Sequence, residues 1–117
     1  MRRALIPLLA APAFAGAGEA DVIAAEAARD GAGWRFSVTV RHADEGWDHY
    51  ADAWRVVGPD GAVYGVRELL HPHVDEQPFT RSLSGVAIPE GVSRVVIEAR
   101  DSVHGYGGAT VAVRLPR

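Results

Sequence analysis

The chain has 117 residues, with 12 basic and 15 acidic side chains giving a formal charge of −3, and it contains no cysteine. An acidic balance of this kind argues against a nucleic-acid partner, because phosphate backbones repel it. The lack of cysteine rules out disulfides and thiolate chemistry, and the length suits one domain with a single core.

The first predicted element is a secretory signal over residues 1–15. Arg2 and Arg3 precede an apolar run from Ala4 to Ala11, and Ala13-Phe14-Ala15 supplies small residues for cleavage. The run is far shorter than the roughly 20 residues of a membrane-spanning helix, and Pro7 and Pro12 would interrupt an ordinary one. The expectation is a soluble, periplasmic or secreted chain over 16–117, not membrane-spanning. Loss of the two arginines takes its formal charge to −5, and loss of Met1 removes the single thioether, so soft ligation of Cu(I) has no donor.

From Asp21 onward apolar residues recur at every second position, the period of half-buried strands. Ile23, Ala25 and Ala27 mark a first strand, and Trp34, Phe36, Val38 and Val40 face inward on a second. Trp54 and Val56 mark a third strand, Tyr64 and Val66 a fourth, and Phe79, Leu83 and Val86 a fifth. Val95, Ile97 and Ala99 give a sixth, and Val111, Val113 and Leu115 a seventh. Seven short strands at this spacing predict an all-β, immunoglobulin-like or fibronectin-III-like sandwich.

Three connections are tight turns built on Asp30-Gly31-Ala32-Gly33, Pro59-Asp60-Gly61 and Pro89-Glu90-Gly91. The other three are long, at about residues 42–50, 70–78 and 101–108. In a sandwich of this topology successive connections alternate between the two ends, so the long loops are expected at one end and the short turns at the other. Loops on a rigid sandwich commonly carry binding and chemistry.

All five histidines fall in the long loops: His42 and His49 in the first, His71 and His73 in the second, His104 in the third. Carboxylates accompany them, with Asp44, Glu45 and Asp48, then Asp75 and Glu76, then Asp101. His42 and Asp101 continue the inward parity of their strands and so point toward the mouth of the sandwich. His71 precedes Pro72 and is biased to an extended backbone, which sets His71 and His73 on one side as a chelating pair. The expected centre is a transition-metal ion, Zn(II), Cu(II) or Fe(II), held by His42, His49, His71, His73 and His104. Asp101, Glu76 and Asp48 are the expected carboxylate partners or alternative ligands, and Trp47, Tyr50 and Tyr106 the expected walls.

Taken singly, each histidine has a plainer reading, as a solvated or hydrogen-bonded residue, since no fixed-spacing metal motif is present. Gly-x-Ser-x-Gly is absent, so Ser82, Ser84 and Ser102 give no nucleophile, and the reading leans away from an enzyme. Two other readings stand beside the metal site. One is a non-catalytic recognition module gripping a sugar, peptide or partner protein with Trp47, Tyr50 and Tyr106. The other is a subunit of an envelope complex that pairs through an edge strand.

Residues 42–50, followed by Trp54, resemble the stretch of desulfoferrodoxin and superoxide reductase domains in which two loop histidines precede an aromatic-rich strand. Asp101-Ser102-Val103-His104-Gly105 is similar to their Cys-Asn-x-His-Gly segment. That resemblance, over about a third of the chain, implies an immunoglobulin-like fold and an iron site in which His42, His49 and His104 are ligands. Two departures bear on it. Asp101 stands where the family has its thiolate, and no histidine precedes His42, whereas the family carries one near its N-terminus. The resemblance therefore implies ligands and not the family's activity.

Overall fold

The computed structural model describes residues 18–117, so the expected signal segment, residues 1–15, lies outside the described residues. The described residues form strands and no helix, and none offers a helix long and apolar enough to cross a membrane. The strands are β1 (Asp21–Asp30), β2 (Gly33–Arg41), β3 (Ala51–Val57), β4 (Val63–Glu68), β5 (Phe79–Val86), β6 (Arg94–Asp101), β7 (Gly105–Tyr106) and β8 (Val111–Arg114). They build two antiparallel sheets, one ordered β1-β2-β5 and the other β4-β3-β6, with β7 and β8 both paired to β6. Seven of these match the predicted strands, and the eighth, the two-residue β7, arises where the last long loop folds back onto the end of β6.

The core lies between the sheets and follows the alternation of the sequence. Trp34, Phe36, Val38 and Val40 of β2 are fully buried, and Trp54, Val56, Val95, Ile97 and Ala99 meet them from the second sheet. Burying side chains of this size contributes about 1.5–3 kcal/mol each, which lets a domain without disulfides hold together.

Register slips occur in three strands, each from one extra residue that turns its neighbours by half a pleat, and in β1 and β4 they overturn the predicted parity. In β1 the slip falls between Val22 and Ala24, so Val22 points into the core and Ile23, expected inside, is 38% exposed. In β4 the slip is at Tyr64, which packs against the core, while Val66 pairs with Arg55 and faces outward at 46% exposure. In β3 the pairing runs Ala51 to Asp101 and then Ala53 to Arg100, leaving Asp52 as the extra residue. Ala51 and Trp54 can thus both face the core although three positions separate them. β6 keeps its alternation throughout, so Asp101 continues the inward row of Val95, Ile97 and Ala99 and Arg100 faces outward at one end of the sandwich.

Candidate metal centre

Hydrogen bonds tie the three long loops together at that end. His73 N–H donates to Asp44 Oδ2 at 2.7 Å, Ser102 N–H to the Tyr50 carbonyl at 2.9 Å, and His42 N–H to Gln77 Oε1 at 2.9 Å. The N-terminal stretch closes over them, because the Gly18 carbonyl lies 2.8 Å from His42 Nε2.

At the centre are three buried residues from separate parts of the chain: His42, one residue past β2; His49, just before β3; and Asp101, the last residue of β6. Each offers one ligand atom, and these atoms all lie within 4.8 Å of one another. His42 Nε2 is 3.3 Å from His49 Nε2, which is 3.0 Å from Asp101 Oδ1. Donors bound at about 2.0–2.1 Å to one ion in tetrahedral or octahedral geometry stand about 2.9–3.4 Å apart as neighbours, a range that these two separations meet and that hydrogen-bonded atoms share. The set of two imidazoles, a carboxylate and a nearby carbonyl suits borderline and hard divalent ions, and the residues present fit such a group.

The surroundings hold these side chains in place. Asp44, with a fully buried side chain, accepts His42 Nδ1–H at 2.6 Å and Ala51 N–H at 3.0 Å, besides the His73 amide. A carboxylate on the far nitrogen orients the imidazole and raises its basicity, the usual arrangement behind a metal-bound histidine. Asp101 is fixed by the main-chain N–H groups of Val103 at 2.9 Å and His104 at 2.7 Å, both on Oδ1. His104 also brings Nδ1 to 3.0 Å from the same oxygen, and its ring centroid lies 5.1 Å from that of His49. With its side chain 39% exposed, it sits on the rim between the buried group and solvent.

Without an ion, the centre is arranged to hold a proton. Burial works against a charged His42. The hydrogen bond to Asp44, the Gly18 carbonyl and the charges of Asp44 and Asp101 outweigh it, leaving the His42 pKa above the ordinary histidine value. For Asp44, burial raises the pKa, but the hydrogen bond from His42 and the amides of His73 and Ala51 hold the carboxyl below its usual range. Burial also raises Asp101, and the His104 and Val103 amides with the His104 charge bring it down. His42 thus has an acceptor at each ring nitrogen, an arrangement that favours its protonated form, and an ion that takes Nε2 competes with a proton there.

The structure sets the other expected site residues apart. His73 is buried, stacks on Phe79 at 4.0 Å and 10°, and receives Arg81 Nη2 at 3.0 Å on Nε2, which occupies that lone pair. Burial first, then the Arg81 and His71 charges, push its pKa down, as an acceptor nitrogen requires. His71 is exposed, its ring 4.7 Å from that of His73, so the pair adjoins the centre through the His73 amide on Asp44 and not through its rings. Glu76 pairs with Arg81 at 3.1 Å, and Asp48 is exposed. Trp47 is 67% exposed and meets Tyr50 edge-on at 5.6 Å, while Tyr50 and Tyr106 line a cleft on the outer face of the second sheet. In the sequence Asp44 stands only as one of several loop carboxylates, without its role behind His42, and the Gly18 carbonyl escapes notice. The His-x-Asp spacing of His42 and Asp44 was a signal for the first, whereas a main-chain carbonyl leaves none.

No family model matches the chain, and no solved structure matches it. A protein of Halomicrobium mukohataei named "Putative lipoprotein" is 49% identical over 78 residues, which cover 67% of this chain and 38% of that one. The chain therefore spans well under half the length of that relative.

Proposed function

We propose that this chain is a metal-binding domain that holds a divalent transition-metal ion at His42 Nε2, His49 Nε2 and the Asp101 carboxylate. The observation that carries the reading is the convergence of three buried ligand atoms within 4.8 Å, one imidazole already backed by a carboxylate. The Gly18 carbonyl, 2.8 Å from His42 Nε2, stands ready as a fourth donor, and His104 on the rim is placed to guide an ion inward. A bound ion would supply a Lewis-acid or redox-active centre, and the protein's part is to orient the donors, the His42 Nε2 proton leaving to solvent as the ion binds. Carriage or buffering of the metal suits a site closed by its own N-terminal stretch. Zn(II), Cu(II) and Fe(II) all match the donors. The stretches that resemble superoxide reductase domains, 42–54 and 101–105, meet at this centre, which favours including iron.

The wider reading is a fibronectin-III-like sandwich over residues 16–117 behind a cleaved signal at 1–15. Its support is the order of three strands facing a sheet in which β4 joins β3. Export is supported by the Arg-led apolar segment and by the name of the 49% identical relative, a lipoprotein. These 117 residues offer no cysteine on which a thioether-linked lipid could be built.

Isothermal titration of tag-free protein with Zn(II), Cu(II) and, without oxygen, Fe(II) tests the assignment. The expected result is one ion per chain, with affinity lost in the His42→Ala/His49→Ala double variant. Wild-type binding no tighter than that of the variant removes the proposal.

A further inference from the structure

On the outer face of the second sheet, across β3 from the metal centre, lies a cleft of about 410 Å³, within the range of small-molecule sites. Its form follows from the slip in β3. Asp52 and Ala53 together oppose Arg100, so a methyl group forms the floor where a longer side chain would otherwise fill the space. Ala53 also pairs with Glu68 of β4, and Arg100 with Tyr106 of β7, which places a carboxylate on one wall and a phenol ring on the other. Tyr50 and the 73% exposed Leu70 form the lip.

Two features mark this as a prepared site and not a gap between side chains. Arg55 lies over the Tyr106 ring at 3.7 Å and is itself anchored by Glu98 at 2.8 Å, so the aromatic wall is fixed before any ligand arrives. The second is Asp52. One carboxylate oxygen faces Arg100 at 3.5 Å, while the other, Oδ1, is buried without a hydrogen-bond partner. An acceptor in that position calls for a donor from elsewhere.

We propose that this cleft binds a neutral, hydroxyl-rich ligand of the saccharide class. A sugar hydroxyl both donates and accepts, so with a small turn of the Asp52 carboxyl, whose side chain is 18% exposed, one hydroxyl can donate to it while a neighbour accepts from Arg100. The apolar C–H faces of a pyranose then rest on Val66, Leu70 and the Tyr50 ring, which are otherwise exposed or half-exposed to water. Ionic ligands fit less well. An anion would meet Asp52 and Glu68, and a cation would have to share Asp52 with Arg100. The edge-on contact of Trp47 with Tyr50 continues the aromatic surface past the lip, room for a second sugar unit. The inference rests on residues other than the three proposed metal ligands.

Amide chemical-shift titration of the full protein in EDTA tests it. The probes are glucose, galactose, mannose, N-acetylglucosamine and their β-1,4- and α-1,4-linked disaccharides, with choline and citrate as ionic comparators. At least one saccharide is expected to give saturable shifts at Asp52, Ala53, Arg100 and Tyr106, weakened about tenfold or more in Asp52→Asn. Tyr50→Ala at the lip reads the same loss should the Asp52 variant fold poorly, and Glu26→Ala, exposed on β1 of the other sheet, should leave binding unchanged. The proposal is overturned if no saccharide saturates at these amides, if both cleft variants bind as wild type does, or if choline or citrate binds in its place.

Discussion

Replacing Asp44 by alanine should cost more stability than any other single change at the loop end. Its carboxylate accepts from one imidazole nitrogen and two main-chain N–H groups, those of Ala51 and His73, and its side chain is fully buried. Truncation strands three buried donors, each worth about 1–3 kcal/mol when left unmade, and part of this is offset because a buried carboxylate no longer has to be desolvated. The net should resemble the breaking of a buried pair, about 3–5 kcal/mol. That is a large share of the roughly 5–15 kcal/mol of a whole domain, and for one of this size it lowers Tm by about 12 °C or more. Asp44→Asn keeps one acceptor oxygen and should lose clearly less. Urea unfolding of the metal-free proteins in EDTA at neutral pH measures both. A loss in Asp44→Ala below about 1 kcal/mol would refute the view that one carboxylate ties the histidine, β3 and the second loop together.

Other outcomes follow from the same geometry. In the metal-free protein the raised His42 pKa adds stability that is full below about pH 6.5 and fades as pH rises through the folded value. The lowered Asp44 pKa adds stability present above about pH 4 and lost as pH falls through its folded value. The pair should therefore stabilise most between those limits, while His73, held neutral, opposes the His42 trend near pH 6.5. Subtracting the stability profile of Asp44→Asn from that of wild type isolates the pair, and a flat difference contradicts it. Gly108→Ala would drive a methyl group into the Ala20 carbonyl at the start of β1. It should cost about 1–3 kcal/mol by thermal unfolding and also weaken metal binding by moving Gly18; unchanged metal affinity would argue against a role for that carbonyl. His71→Ala should leave metal affinity unchanged, whereas Asp44→Asn should reduce it about 10–100-fold by titration.

The alternation of β2, β3 and β6 was plain in the sequence because their side chains face a core on one side only, and burial enforces period two. For the same reason His42 and Asp101 could be expected at the mouth of the sandwich: each extends an inward row by one step. The two parity errors, at Ile23 and Val66, share a cause with the slip in β3. Ile23, Asp52 and Tyr64 are extra residues in their strands, and an insertion is defined by the partner strand's register, which one strand's own pattern does not contain.

By itself the sequence determined the all-β character of the chain and which segments carry the polar chemistry, since both follow from local periodicity and residue type. Only the tertiary structure decided which histidines meet. His42, His49 and Asp101 converge, whereas Arg81 and Phe79 claim the His73 ring, and nothing near His73 in the chain announces a guanidinium eight residues later. Tertiary contact likewise supplied the Gly18 carbonyl, 24 residues from the ring it meets, and the open floor at Ala53. The physical reason is that coordination and cavities depend on distances of a few ångströms between segments, which pairing and packing fix and residue spacing does not.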